Sequence, residues 1–140
     1  MSCPFCNSEI IAKQKIAETE NEFVFYNLGP RTKGQCLVVP KRHVAGVREL
    51  TEVELASLMQ TVKMTSEKLH AYLQPAGFNY GFNEGAIAGQ TVPHLHFHIM
   101  PRYADDGIVE THIFRNSSDE KRFISDQEIE TLVEEFKNIF

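Results

Sequence analysis

The chain has 140 residues, enough for one domain with a real core, and its 42% apolar content is ordinary for a water-soluble protein. A formal net charge of −5 argues against nonspecific binding to nucleic acid or to a membrane surface. No apolar run reaches the length of a membrane span, and the start lacks the charged-then-apolar pattern of a secretion signal, so the expected compartment is the cytosol.

The three cysteines are an odd count with one C-x-x-C, which does not read as a disulfide framework. Cys3-Pro4-Phe5-Cys6 lies ahead of any strand, where a redox pair would normally follow one, so half of a zinc site is the better functional reading. Two thiols near a chain end is the plain alternative. Phe23 to Tyr26 is aromatic and β-branched and predicts a strand, broken by Asn27-Leu28-Gly29-Pro30. After a second turn at Lys33-Gly34, Gln35 to Val39 predicts its antiparallel partner, with Cys36 as a small core residue.

Thr51-Glu52-Val53-Glu54 is a capping box, and the helix it opens is expected to run to about Leu73. Leu55, Leu58, Met59, Val62, Leu69 and Leu73 form its apolar stripe, and Gln74-Pro75-Ala76-Gly77 ends it. Phe78 to Asn83 alternates as a strand does, and Glu84 to Ala88 is a loop of small residues.

Gly89-Gln90-Thr91-Val92-Pro93-His94-Leu95-His96-Phe97-His98-Ile99-Met100-Pro101-Arg102 follows, and the rest of the sequence is organised around it. Three of the six histidines stand here at alternate positions, with Leu95, Phe97 and Ile99 between and after them. That is the period of a strand with apolar residues on one face and imidazoles on the other. Imidazole is substantially neutral, and so nucleophilic, near neutral pH. Beside a Gly-Gln-Thr turn that can offer N–H groups and an amide, it suggests chemistry at a phosphate. Adjacent strands joined by a short loop would bring Asn83 and Gln90 to one end of the sheet, where a phosphate can be held from two sides. A metal reading competes. Histidines two apart on a strand are separated by roughly 6.6 Å along its axis and can share an ion, whereas the outer pair, roughly 13 Å apart, cannot easily do so. A half-exposed strand that merely carries histidines is the plain alternative.

Beyond Arg102 the chain turns polar. Val109 to Phe114 could form a short strand carrying His112, and Asn116 to Lys121 reads as a loop. Ser125-Asp126-Gln127-Glu128 then opens a last helix with the stripe Ile129, Leu132, Val133, Phe136 and Ile139.

The segment His94 to Met100 matches the pattern His-φ-His-φ-His-φ-φ, with φ apolar, at every position, and so resembles the signature of the histidine triad (HIT) family of nucleotide hydrolases and transferases. Gly89-Gln90-Thr91-Val92 and Asn83-Glu84-Gly85 are similar to the family as well, and the resemblance runs from Cys3 to about Arg102. It implies an α+β HIT-like fold: about five antiparallel strands, one long central helix and a C-terminal helix. The implied organisation is a single domain over 1–140, with a core at about 3–102 and an extension at about 103–140.

The resemblance assigns the nucleophile to His96, with His98 and Gln90 as donors to the phosphoryl oxygens and His94 as the residue whose carbonyl would fix the tautomer. Gly89, Thr91, Val92 and Asn83 would complete the phosphate side. Asn27 would hold the ribose, and Phe5, Phe25, Tyr26 and Leu28 would line the base pocket. It completes a structural zinc site from Cys3, Cys6, His43 and His94, with no cofactor needed for catalysis. The implied ligand is an adenine nucleotide or dinucleoside polyphosphate, and the implied assembly a homodimer through the long helix and an adjoining strand, with no nucleic-acid or membrane partner. The extended tail without tryptophan is more like the dinucleoside polyphosphate hydrolases than the adenosine phosphoramidases. A nucleotide-binding module with little catalysis is the reading from outside the enzymes.

Overall fold

The computed structural model describes residues 3–108 and 124–140. Five strands form one antiparallel sheet: β1 (Lys15–Glu18), β2 (Glu22–Tyr26), β3 (Cys36–Pro40), β4 (Gly77–Gly81) and β5 (Phe97–Arg102), in spatial order β1-β2-β3-β5-β4. Three helices accompany it: α1 (Ser8–Gln14), α2 (Glu52–Leu73) and α3 (Asp126–Lys137). The expected α+β architecture is therefore present. Among the described residues the strand count is five, one of them outside the expected segments. The segment 109–114, with His112, lies outside the described residues, as does the loop at 116–121. The fifth described strand is β1, which the sequence pattern does not announce: it is four residues long and buries only Ile16.

Each helix starts where its capping chemistry dictates. Thr51 accepts the Glu54 N–H while the Glu54 carboxylate takes the Thr51 N–H, satisfying two donors that the first turn leaves without partners. Ser125 caps α3 by accepting the Glu128 N–H. The Asn7 side chain accepts from Glu9 and Ile10 and starts α1, a helix too short for periodicity to reveal. The expected stripe on α2 is corrected at its N-terminal end. Leu58, Thr61, Val62, Thr65 and Leu69 face the sheet, whereas Leu55 and Met59 lie on the flank and stay exposed.

Strand alternation sorts the sheet into two faces. Val24 and Tyr26 of β2, Cys36 and Val38 of β3, and Phe97 and Ile99 of β5 pack with Leu58, Val62 and Leu69 of α2 and with Ile129, Val133 and Phe136 of α3. Phe25, Leu37 and Val39 point the other way and are covered by Phe5, Ile11 and Val92. Among the described residues no helix is long and apolar enough to cross a membrane.

The turn between β2 and β3 is anchored in the helix-side core. Gly34 has φ +90°, and its N–H donates to the Tyr26 hydroxyl at 2.9 Å. A Cβ here would lie 2.4 Å from Cδ1 of Leu73. Gly34→Ala combines a left-handed backbone with a clash in the core, so we expect a loss of about 2 kcal/mol or more in urea unfolding, with the m-value unchanged.

Candidate active site

The four residues assigned to a metal come together from three separate stretches of the chain. One potential ligand atom from each of Cys3, Cys6, His43 and His94 lies within 4.8 Å of all the others. Cys3 Sγ is 3.4 Å from His94 Nδ1, Cys6 Sγ is 3.6 Å from both His94 Nδ1 and His43 Nδ1, and the two Nδ1 atoms are 3.1 Å apart. A tetrahedral zinc with bonds of roughly 2.3 Å to sulfur and 2.0–2.1 Å to nitrogen requires S···N edges of roughly 3.6 Å and an N···N edge of roughly 3.3 Å. The donor set, its count and its spacing therefore fit a four-coordinate structural zinc.

The surroundings support the same chemistry. His94 is fully buried, and its Nε2 donates to the Pro40 carbonyl at 2.7 Å, which leaves the Nδ1 lone pair facing the cluster. Burial pushes the His94 imidazole below its ordinary value, more than the Pro40 carbonyl raises it, so the ring is kept neutral. Local desolvation and the adjacent Cys3 thiol push the exposed Cys6 thiol upward, a preference that a bound dication would reverse. Cys36 lies apart from this cluster, fully buried, with its thiol donating to the Gly34 carbonyl.

The histidine stretch departs from a uniform strand. Regular pairing begins at Phe97, so only His98 sits in the ladder, opposite Leu37 on β3 and Gly81 on β4. His96 immediately precedes it, and His94 follows the bend at Thr91–Pro93. The reason is local: the proline lacks an N–H for the ladder, and the backbone turns to bring His94 onto the Pro40 carbonyl. Alternation still holds, since Leu95, Phe97 and Ile99 enter the helix-side core. Nor is the imidazole row an open surface. Phe5 lies against it, with ring centroids 5.8 Å from His94 and 5.2 Å from His96, and His96 retains only 8% exposure.

His96 carries the feature that decides its chemistry. Its Nδ1 is 2.8 Å from the His94 carbonyl oxygen. A carbonyl can only accept, so Nδ1 bears the proton and the lone pair is placed on Nε2. The His98 ring lies 5.2 Å from that of His96, centroid to centroid, on the same face.

The remaining assigned residues divide. Phe5 and Phe25 are together, 5.6 Å apart, beside the histidines, and Val92 packs against them. Tyr26 and Leu28 are not part of this group. Adjacent strand residues point to opposite faces, so Tyr26 lies in the helix-side core against Phe136, and Leu28 packs on that same core. The assignment of Tyr26 to the base pocket is corrected. Leu37 and Val39 occupy the site face instead, a placement that the register of β3 against β5 determines. Asn27 accepts the Gly29 N–H through Oδ1 at 2.9 Å, an Asx turn that leaves its amide NH2 to donate.

Gln90 uses its side chain on backbone. Its Oε1 accepts the Gly85 N–H at 2.8 Å and its Nε2 donates to the Ala45 carbonyl at 2.9 Å. Gly89 is left-handed at φ +100°, Thr91 is exposed, and Asn83 is half-buried just beyond the end of β4. The pairing of β4 with β5 brings the Asn83 and Gln90 ends of the connecting loop to the same edge.

Fold and site together define an α+β protein that sets a tautomer-fixed imidazole beside four side chains with the spacing of metal ligands. The sequence pattern of the HIT domain matches residues 8–105, and the chain belongs to this family. It is 44% identical over 110 residues to an uncharacterized HIT-like protein of Methanocaldococcus jannaschii, covering 76% of this chain and 84% of the relative. It is 38% identical over 104 residues to the adenosine 5'-monophosphoramidase hnt1 of Schizosaccharomyces pombe, covering 73% and 75%. It is 33% identical over 122 residues to a bis(5'-adenosyl)-triphosphatase of Dictyostelium discoideum, covering 87% and 82%. A Zn-bound histidine triad family protein from Mycobacterium smegmatis superposes with TM-score 0.71 at 27% identity, over 99% of this chain and 94% of that one. The NitFhit protein of Caenorhabditis elegans superposes with TM-score 0.75 at 30% identity over 92% of this chain, which spans only 28% of that larger protein.

The depressed His94 value carries a sign. In metal-free protein the unfolded chain takes up a proton on this ring before the folded one does, so folding stability falls as pH drops through about 6.5. NMR titration of the metal-free protein should show the His94 ring titrating below that value. A midpoint at or above it would mean that the ring is not held as described.

Proposed function

We propose that the protein is a nucleotide hydrolase acting at the α-phosphate of adenine nucleotides through a nucleotidyl-histidine intermediate. The observation that carries this reading is the 2.8 Å contact from His96 Nδ1 to the His94 carbonyl, which puts a lone pair on the other ring nitrogen. His96 Nε2 attacks the α-phosphorus. An N–P bond forms, the bond from phosphorus to the leaving group breaks, and the leaving group departs with the electron pair and takes up a proton. Water then attacks the same phosphorus and releases the nucleoside monophosphate, returning His96 to its starting state. His98 donates to a nonbridging oxygen, while Gln90, Thr91 and Asn83 supply further donors where charge grows. Leaving the Ala45 carbonyl and the Gly85 N–H frees the Gln90 amide for this contact and later for orienting the water. Phe5 and Phe25, with Leu37 and Val39, form the wall for the base, and the Asn27 amide meets the ribose.

Zinc, held by Cys3, Cys6, His43 and His94, is proposed as a structural cross-link that ties the N-terminal turn to the histidine stretch. The chemistry above draws on no cofactor. We further propose a homodimer through α2 and the edge strand β4, where Met59, Leu55 and Tyr80 are exposed apolar side chains. The reduced thiols in the ligand set suit a cytosolic protein.

Dinucleoside polyphosphates are the preferred substrate class. The match to the bis(5'-adenosyl)-triphosphatase of Dictyostelium discoideum extends over 87% of the chain and so reaches beyond the histidine stretch. Phosphoramidate cleavage is the second reading, favoured by the similarity to hnt1. Assays on diadenosine tetraphosphate, diadenosine triphosphate and an adenosine phosphoramidate separate the two. His96→Asn should reduce turnover by a factor on the order of 10³ or more while nucleotide still binds. A variant with near-native rate would sink the assignment. A binding module would instead hold nucleotide without turnover in the wild type.

Elemental analysis should find about one zinc per chain, lost in Cys6→Ser. Chelation should lower Tm and loosen the N-terminal turn without abolishing turnover. If chelators stop the reaction in protein that remains folded, the histidines serve a catalytic metal and the structural assignment is wrong.

A further inference from the structure

The Asn83-Glu84-Gly85 stretch contains a carboxylate for which the proposed chemistry has no use. Glu84 turns away from the histidines and crosses to the loop that precedes α2. Its Oε1 accepts the Val47 N–H at 2.9 Å. Its Oε2 lies 3.3 Å from Arg48 Nη2, but that arginine is 88% exposed, so the ion pair contributes little and the backbone contact carries the interaction.

The seat for this carboxylate is built by an absent side chain. A Cβ on Gly46 would lie 2.0 Å from Glu84 Oε1 and 2.1 Å from its Cδ. Gly46 has φ −151°, which any residue adopts, so it is space rather than backbone freedom that requires glycine here. Glu49 completes the seat. Its Oε2 accepts the Ala45 and Gly46 N–H groups at 2.8 and 3.1 Å, so two carboxylates share three consecutive donors.

The loop that Glu84 holds gains little from apolar packing. Residues Gly85 to Ala88 are exposed, and Ile87 projects fully into solvent. Apolar packing therefore does not fix its position. The side-chain stitches across to the facing loop include Glu84 to Val47 and Gln90 to Ala45, and the Leu95 N–H on the Val44 carbonyl continues the seam. In the proposed reaction Gln90 releases its stitch to meet the substrate. Glu84 then remains as the anchor while Asn83, its neighbour, and Gln90, six residues on, must stay in place.

We propose that Glu84, seated in the space left by Gly46, is a positioning residue that sets the phosphate side of the site without touching substrate. This rests on the functional reading above. Misplacing that loop by about an ångström should lower kcat/KM by one to two orders of magnitude, mostly in kcat, because the affected contacts matter most in the transition state.

Four variants test it: Glu84→Ala, Glu84→Gln, Gly46→Ala and the double variant Gly46→Ala/Glu84→Ala. Glu84→Gln keeps an oxygen for the Val47 N–H and should rescue most of the rate that Glu84→Ala loses. Gly46→Ala should be as damaging as Glu84→Ala by itself, yet nearly silent in the Glu84→Ala background, since the space it invades is then vacant. Additive losses would overturn the proposal. So would a Glu84→Ala enzyme that keeps its kcat while only its Tm falls, which marks a structural staple. Amide hydrogen exchange on the substrate-free protein should show Val47 and residues 85–90 losing protection in Glu84→Ala and Gly46→Ala but not in Glu84→Gln. Unchanged protection would also overturn it. Should the wild type turn over no member of the substrate panel, the functional reading fails, while exchange still decides whether the Glu84–Gly46 contact anchors the loop.

Discussion

His94 is the residue through which the rest of the site is fixed. Its Nε2 is tied to the Pro40 carbonyl, its Nδ1 faces two thiols and the His43 ring, and its own carbonyl receives the His96 Nδ1 proton. One residue thus joins the end of β3, the N-terminal turn, the loop before α2 and the histidine stretch. Each contact constrains the next. If the ring rotated to offer the other nitrogen to the cluster, it would lose the Pro40 carbonyl and leave a buried polar atom without its partner, a cost of about 1–3 kcal/mol. The tautomer of His96 is in turn set by a backbone atom, which can neither change protonation state nor swing away.

The sheet makes this arrangement possible by dividing labour between its faces. Helices α2 and α3 cover one face with aliphatic and aromatic side chains, and that face supplies the hydrophobic driving force. The other face is left for a small aromatic cluster and the imidazoles. Phe5 links the two tasks there. It is held between Cys3 and Cys6 in the sequence and touches His94, His96 and Phe25 in space. A short N-terminal turn with few contacts of its own is a poor wall for a binding site. Four ligands to one ion would make it a firm one.

What the sequence disclosed, and what it hid, follows from the range of the interactions involved. Thr51 and Ser125 announce their helices because a cap is satisfied within a few residues. Leu95, Phe97 and Ile99 announce a core face because side-chain direction alternates whatever the pairing. The short α1 and β1 are not legible, since α1 is under two helical turns and β1 is four residues bounded by the charged Lys15 and Glu18. The failure at Tyr26 is more instructive. The resemblance set Tyr26 in one pocket with Phe25, but adjacency in a strand means opposite faces, and the Gly34 N–H on its hydroxyl belongs to the far side. Leu37 and Val39 were missed for the converse reason. Their face is determined by a register with β5 some sixty residues away, which no local pattern encodes. The gathering of Cys3, Cys6, His43 and His94 was legible only because resemblance supplied the two histidines. Spacing yielded the two cysteines and stopped there.

The proposed phosphate side has an electrostatic logic of its own. Asn83, Gln90, Thr91 and His98 bring dipoles and an imidazole N–H rather than fixed positive charge, on a protein whose net charge is −5. A lysine or arginine there would grip a polyphosphate strongly in the ground state and gain less as the reaction proceeds. Oriented amides and an imidazole N–H act over a short range, so their effect is greatest where negative charge accumulates on the phosphoryl oxygens. Donors of that kind are effective only if they are already in position, because a dipole that must turn to meet the charge spends its advantage in reorganisation. Gln90 spans Ala45 and Gly85 at rest, so its amide incurs that reorganisation when it exchanges those contacts for the phosphate, while the loop that carries it stays anchored. Short loops stitched to one another by side-chain contacts supply the rigidity that a charged clamp would not need.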